Sequence, residues 1–189
     1  MIKKRHMILT LVTLTAILLL WASVNTAQVL QQEKAVQTKS LWDKMIRYAQ
    51  TGLWEQARET GMELLNLNPE AGLIQQWSQS AAYAETYRKL MGLPTGTAVP
   101  VDNAVQRIIK LSETHWFWDD FMHYAHIGRF DLAQDRGRAL LKIEPDPELM
   151  LELAESERYQ YSYRSLALMQ ENEALRDIAT EIFKLVETG

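Results

Sequence analysis

Apolar residues recur at helical spacing over most of this chain. After Pro69, for example, they stand three or four residues apart, at Leu73, Trp77, Ala81 and Ala84. This is the period of one helix face and not the alternation of a strand. The 8 glycines and 5 prolines are confined to a few places, whereas a sandwich or barrel has a turn about every 8 to 12 residues. The pattern predicts an all-α fold, with one long helix after each of two prolines (about 69–91 and 145–168) and a last helix at about 171–187.

The N-terminus has a different pattern. Residues 1–6 form a short basic segment, and the 18 residues from 7 to 24 carry no charge. As a helix this run would reach about 27 Å, which is close to the hydrocarbon thickness of a bilayer. It predicts a single transmembrane anchor in the inner (cytoplasmic) membrane, with Trp21 near the far interface. The basic segment then stays in the cytoplasm and the remaining chain is periplasmic, or extracytoplasmic.

A cleaved signal sequence is the alternative for residues 7–24. Signal peptidase requires small residues one and three positions before the cut. A cut after Ala27 would place Asn25 at the outer position, and a cut after Ala22 would place Leu20 there. Neither site fits, so the uncleaved anchor is the favoured interpretation.

The rest of the chain contains an internal duplication with a period of 76 residues. Residues 28–91 and 104–167, aligned without gaps, are identical at 19 of 64 positions. Unrelated sequences of ordinary composition would agree at roughly one position in sixteen. We therefore divide the chain into a first helical repeat, residues 28–101, and a second helical repeat, residues 102–189, which includes the C-terminal helix.

Part of each repeat has a recognisable signature. A large apolar residue is followed by Tyr, Gly, an aromatic residue, Ala and Pro, at Leu41, Tyr48, Gly52, Trp54, Ala57 and Pro69, and again at Phe117, Tyr124, Gly128, Phe130, Ala133 and Pro145. These two stretches resemble tetratricopeptide repeats. The resemblance implies pairs of antiparallel helices, and it covers about 60 residues of the chain. The glycines would end a helix with positive φ, and the prolines would begin the next helix.

The repeats depart from the family at two positions each. Met45 and Phe121 stand where the family has a small residue, and Gly61 and Gly137 stand where it has a larger one. We interpret this as a compensating exchange, in which each glycine makes room for the bulky side chain opposite it.

The resemblance also implies a concave groove that is lined by the first helix of each pair and receives a partner protein. The matching positions are Lys39, Trp42, Ile46, Ala49 and Gln50 in the first repeat, and His115, Trp118, Met122, Ala125 and His126 in the second. A recurring Trp followed by Ile or Met would suit an apolar anchor from a partner. The alternative is that both tryptophans pack between helices of the longer repeat.

Composition and motifs exclude several classes of function. The chain has no Cys, which removes disulfides and thiolate chemistry. Its net charge is −4, with no basic stripe outside the N-terminus, so nucleic-acid binding is not expected. No catalytic motif and no cofactor site is recognisable. Asp119, His123 and His126 share a helix face and are weak candidates for a metal site; of the three, only the Asp recurs, as Asp43.

These observations predict a non-catalytic, membrane-anchored adaptor or scaffold that binds or assembles other proteins, membrane or periplasmic ones, at the periplasmic face. One alternative is a permanent accessory subunit of a large membrane complex, with its groove unused. Another is a periplasmic helical protein that binds a metal or small ligand through His115, His123 and His126. Repeat resemblance does not choose among them.

Overall fold

The computed structural model describes residues 28–90, 103–156 and 160–189, together with Thr26, Pro94 and Gly96, and for residues 160–163 only the backbone. These ranges are helical and contain no strand, which confirms the all-α prediction. No helix within them is long and apolar enough to cross a membrane. The predicted anchor, residues 7–24, lies outside the described residues. The helices are α1 (28–50), α2 (Trp54–Asn66), α3 (Ala71–Ser78), α4 (Ala81–Leu90), α5 (Ala104–His126), α6 (Phe130–Lys142), α7 (Pro147–Glu155), α8 (Gln160–Glu171) and α9 (Arg176–Thr188).

The chain divides into two compact units, the first ending at Ser40 and the second running from Leu41 to Gly189. In the first unit, the part of α1 up to Ser40 exposes Val29, Leu30 and Val36. Thr38 is buried there, and its hydroxyl donates a hydrogen bond to the Lys34 carbonyl at 2.7 Å. The buried apolar core belongs to the second unit.

The turns after α1 and α5 have the same geometry. Gly52 and Gly128 both have positive φ, +72° and +75°. In each turn the next residue donates its N–H to a tyrosine carbonyl five positions back, Leu53 to Tyr48 and Arg129 to Tyr124, both at 2.9 Å. This is the Schellman arrangement, in which a residue with positive φ closes a helix. The predicted role of the two glycines is confirmed.

The two helical glycines lie where bulky side chains cross. A Cβ added to Gly61 would lie 3.1 Å from the Met45 sulfur and 2.6 Å from Cγ1 of Ile109. A Cβ added to Gly137 would lie 3.1 Å from Cδ2 of Phe121 and would also meet Ile178. Because real Cβ atoms essentially never lie within 3.0 Å of a neighbour, a side chain at either position would force the facing isoleucine to shift. The predicted exchange of bulk is confirmed in both repeats.

The first helix pairs of the two repeats stack directly on each other through α2 and α5, which run in opposite directions. Trp54 at the start of α2 lies on His115, and Gly61 further along lies against Ile109. The second pair continues the stack through α6 and α9. Here the two helices run in the same direction, because Gln134 in α6 bonds the carbonyl of Ala174 just before α9, and Gly189 lies against Pro147 beyond the end of α6.

The prediction of a single long helix after each proline is wrong. Two short helices occupy each stretch: α3 and α4 in the first repeat, α7 and α8 in the second. Serine stands at both breaks. Ser80 accepts the N–H of Tyr83 and so caps α4, while Ser156 has extended backbone and its hydroxyl bonds the Leu153 carbonyl. Serine side chains compete with the helix for backbone groups, which the apolar period did not reveal.

The prolines do not begin these helices as predicted. Pro69 and Pro145 lie two positions before α3 and α7, and Pro147 is the residue that begins α7. The residue before each signature proline, Asn68 or Glu144, has positive φ (48° and 50°) and ends the preceding turn. The last helix, α9, begins at Arg176 and not near residue 171.

Candidate functional site

The groove face predicted on α1 is covered by the rest of its own repeat. Trp42 is buried, and its ring lies 6.2 Å from that of Trp77 in α3 and 5.3 Å from that of Tyr83 in α4. The Gln50 amide donates a hydrogen bond to the Thr86 hydroxyl of α4 at 3.0 Å. The pair α3–α4 therefore occupies the face on which a partner was expected.

The other predicted groove residues of the first repeat differ in their exposure to solvent. Ala49 is buried, Ile46 is half-buried, and Gln50 is exposed apart from its bond to Thr86. Lys39 is half-buried and belongs to the first compact unit. Only part of the predicted set lies on an accessible surface.

In the second repeat, the central groove candidates lie in the core. Trp118 has no exposed surface, and only 9% of the surface of Met122 is exposed. Ala125 is half-buried, and His126 at the end of α5 is exposed. The burial of Trp118 favours the alternative interpretation, in which the recurring tryptophans pack between helices. Neither tryptophan can reach a partner without rearrangement of the fold.

The metal candidates on α5 differ in their exposure. Asp119 is half-buried, while His123 and His126 are exposed. Among the residues whose positions are described, no three His, Asp or Glu side chains are arranged to hold a metal ion. The structure therefore gives no support to a site at these positions.

His115 has a different environment from the one predicted. Its ring stacks on Trp54 of α2, with 3.9 Å between the ring centroids and 8° between the planes. This contact joins the two repeats and does not point into a groove. The aromatic residue of the signature, Trp54, thus has a partner that the resemblance alone did not indicate.

A cluster of aromatic and charged side chains beside this stack was not predicted. Trp116 of α5 contacts two guanidinium groups, with its ring centroid 5.9 Å from Cζ of Arg58 and 5.0 Å from Cζ of Arg136. Arg58 pairs with Glu113 at 2.7 Å, and Arg136 pairs with Asp120 at 3.1 Å. Each cation–π contact contributes about 0.5 to 1 kcal/mol at a partly exposed site. The cluster links α2, α5 and α6, and the two arginines are not at matching repeat positions.

The repeated tyrosines form part of the packing between helices. Tyr83 and Tyr87 are buried, with ring centroids 5.9 Å apart. Burial raises the pKa of the Tyr83 phenol above its usual range, with a further increase from Tyr87 and an opposing effect of Arg107. The Tyr83 hydroxyl has no hydrogen-bond partner among the described residues. Its repeat counterpart, Tyr159, lies outside them.

Among the described residues of the second compact unit, two surface cavities can be compared. The larger, about 490 Å³, lies between the end of α2 and the starts of α3 and α5. Its polar side chains are all neutral amides: Asn68, Gln75, Asn103 and Gln106. The smaller, about 160 Å³, lies between α4, α5 and the start of α7 and includes Arg107, Lys110 and Asp146. Neither contains a predicted groove or metal residue.

Comparison with known proteins gives no assignment. No protein-family model matches the chain, and neither a curated protein nor a solved structure is significantly similar to it.

Proposed function

We propose that this chain is a non-catalytic, tetratricopeptide-like scaffold, anchored through residues 7–24, that helps to assemble other proteins at the periplasmic face of a membrane. The duplicated helix pairs support the repeat assignment, since each has a Schellman turn at its glycine and a glycine opposite a bulky residue. The anchor rests on the uncharged run and the basic segment before it.

The observation that carries the proposal is the position of α3 and α4 on the groove face of α1. Trp42, Trp77 and Tyr83 form one aromatic contact there, so the surface used by peptide-binding arrays is filled from within. A filled groove does not suit the reversible capture of peptides. Of the two scaffold functions, a lasting accessory subunit that uses its outer surface is therefore favoured over an exchangeable adaptor.

Purification of the full chain in mild detergent, followed by cross-linking and washes of increasing salt, tests this function. We expect the same partner proteins in fixed stoichiometry, retained through the washes. Partners that exchange readily would favour the adaptor instead, and failure to recover any partner would contradict the scaffold.

A double variant tests whether the groove is used. Gln50→Ala with His126→Ala changes the two exposed groove candidates, and we expect partner recovery to be unchanged. Loss of the partner in this double variant, with normal thermal unfolding, would show that the groove is used after all.

The anchor requires its own test. We expect the mature chain to retain residue 1 or 2 at its N-terminus and to resist carbonate extraction. A product that begins near Gln28 and is released by carbonate would identify residues 7–24 as a cleaved signal sequence.

A further inference from the structure

The first part of α1 exposes two valines on one side of the helix. Val29 and Val36 are 54% and 66% exposed, although valine is among the residues that folded proteins most often bury. They are seven positions apart, so they lie on the same side, two turns from each other. Leu30 is also exposed but lies about 100° further around the helix. β-Branched residues at a seven-residue spacing are typical of a helix side that packs against another helix.

The matching side of α5 shows how the second repeat uses these positions. Val29 corresponds to Val105, which is buried. Val36 corresponds to Ser112, which has no exposed surface. Ile109 lies between these two residues on the same side of α5 and contacts α2. This side of α5 therefore receives the preceding repeat, whereas among the described residues no helix precedes α1, and the corresponding side of α1 is exposed.

The place on α6 that corresponds to this contact is already occupied. Ile178 of α9 lies against Gly137 of α6, as Ile109 of α5 lies against Gly61 of α2. A second copy of the chain cannot place its α1 against Gly137 while α9 is there. If two copies associate through the exposed side of α1, this side must therefore meet itself, and the contact has a two-fold axis.

The side of α1 between the two valines is compatible with such a contact in a parallel pair. In the heptad that begins at Val29, the second position that faces the partner helix is Gln32. Its amide can both donate and accept a hydrogen bond, so it can pair with its own copy. Glu33 flanks the contact, and the position across from it is Gln28 of the other copy. No like charges face each other over residues 28–36.

We propose that two copies of this chain pair in parallel through residues 28–36 of α1, with Val29 and Val36 each packed against the same residue of the other copy. The inference rests on the anchor in the proposed function, because chains anchored through residues 7–24 have the same orientation in the membrane. The uncharged run ends at Val24, five residues before Val29. Anchoring therefore holds the two α1 segments side by side at the same distance from the bilayer.

Single cysteines test this pairing, since the chain has no Cys of its own. Membranes that carry the full chain with Val29→Cys, Val36→Cys or Gln31→Cys are mildly oxidised and analysed without reductant. Gln31 is the control, because it is exposed and lies about 200° around the helix from Val29. A disulfide requires Cα atoms within about 7 Å, so we expect about fivefold or more linked dimer at positions 29 and 36 than at position 31.

The outcomes separate the pairing from the anchor. Equal linking at all three positions would reflect random collision and would overturn the pairing, as would the absence of linked dimer at positions 29 and 36. An antiparallel pair links neither valine position to itself and gives that second result. Carbonate extraction of the same membranes tests the anchor. Membrane-bound chain without position-specific linking contradicts the pairing alone, whereas specific linking in a chain that carbonate releases contradicts the anchor alone.

A second pair of variants tests the contact without cysteine. Val36→Lys places two like charges against each other, so it should raise the dissociation constant of the dimer in mild detergent about tenfold or more. Gln31→Lys adds the same charge on the opposite side of α1 and should leave the constant unchanged. Both positions are exposed, so the thermal unfolding of each chain should stay normal. Analytical ultracentrifugation measures the constant, and an unaltered value for Val36→Lys would refute the contact.

Discussion

The first two helices of each repeat pack against each other in the same way, but the two pairs contact different neighbouring helices. In each, a glycine on the second helix accommodates a bulky residue of the first, Met45 in one repeat and Phe121 in the other. The third contact to each glycine is an isoleucine, Ile109 or Ile178. Ile109 belongs to α5 of the next repeat, which runs opposite to α2, whereas Ile178 belongs to α9, which runs in the same direction as α6.

This difference shows that α9 does not repeat the packing of α5 on α2. Helical repeats bury a continuous core by stacking against neighbouring helices. The helix α9 packs against α6, α7 and α8 and runs in the same direction as α6. The buried side chains here are those of the N-cap residue Leu175 and of Ile178, Ala179, Ile182 and Val186 in α9.

Removal of α9 should have the largest effect. Truncation after Asn172 deletes all five of these buried side chains and uncovers the Gly137 surface. Each large aliphatic residue contributes about 1.5 to 3 kcal/mol through burial. We expect Tm to fall by at least about 10 °C, or the cooperative transition to disappear, as measured by circular dichroism during heating.

The control for this truncation is an exposed change on the same helix. Glu181→Gln lies on the solvent face of α9 and should leave Tm unaltered. If the truncated chain melted like the intact one, α9 would be an appendage and the comparison of Ile109 with Ile178 would fail.

The two tryptophans test whether the repeats also share a core position. Trp42→Ala and Trp118→Ala should each destabilise the fold by about 3 to 5 kcal/mol, because truncation of a buried tryptophan leaves a large cavity. The loss should be at least as great at Trp118, which is fully buried, as at Trp42, which is 4% exposed. Chemical denaturation of each variant measures it.

Leu53→Ala is the control, since Leu53 is 45% exposed and should cost far less than either tryptophan. Near-normal stability of Trp118→Ala would mean that this side chain is not part of the core, and it would restore the groove interpretation.

Substitutions at Gly61 and Gly137 test whether each glycine makes room for the bulky residue opposite it. Gly61→Phe and Gly137→Phe should each destabilise by about 1 to 3 kcal/mol or more through overpacking. Shortening the facing residue, by Met45→Ala or Phe121→Ala, should make the paired double variant less unstable than the sum of the two single changes. Denaturant unfolding of all three members of each set measures the coupling.

Gly72 in α3 is the control, because substitution there should stabilise the fold and not destabilise it. A Cβ at this position would meet no atom within 4 Å, so Gly72→Ala should stabilise by about 0.5 to 1 kcal/mol through helix propensity. Unchanged melting of Gly61→Phe would contradict the steric argument for both repeats.

The features that sequence predicted correctly are those with a local cause. Gly52 and Gly128 end helices because glycine has low cost at positive φ. The Met45–Gly61 exchange could be inferred because the resemblance supplied the expected residue at each position. Duplication strengthened both inferences, since each feature occurs twice with the same spacing.

The features that sequence missed depend on contacts between distant segments. The apolar period continues across Ser80, so nothing local shows that α3 ends and α4 folds back toward Trp42. Likewise, the direction of α9 is set by where its apolar face docks, and its spacing alone fits either direction. Because these contacts join distant segments, the groove prediction did not include the α3–α4 pair that covers α1. The alternative interpretation of the tryptophans did anticipate their burial.

The smallest expected effect comes from a charge that only one repeat has. Glu152 in α7 matches Gln76 in α3, and partial burial raises the pKa of the Glu152 carboxyl above its usual range. A raised pKa in the folded state means that folding favours the protonated form. The carboxylate therefore destabilises the fold at neutral pH and ceases to do so as pH falls below its ordinary pKa.

Glu152→Gln should accordingly make the second repeat more like the first and stabilise it slightly at pH 7. The side chain is largely exposed, so the gain should be only about 0.3 kcal/mol. It should be clearly smaller at pH 4, where most of the wild-type carboxyl is itself protonated. Denaturant unfolding of both proteins at the two pH values measures this difference. A gain of the same size at pH 4 would mean that the amide stabilises by packing or hydrogen bonding and that the charge of Glu152 costs the fold nothing.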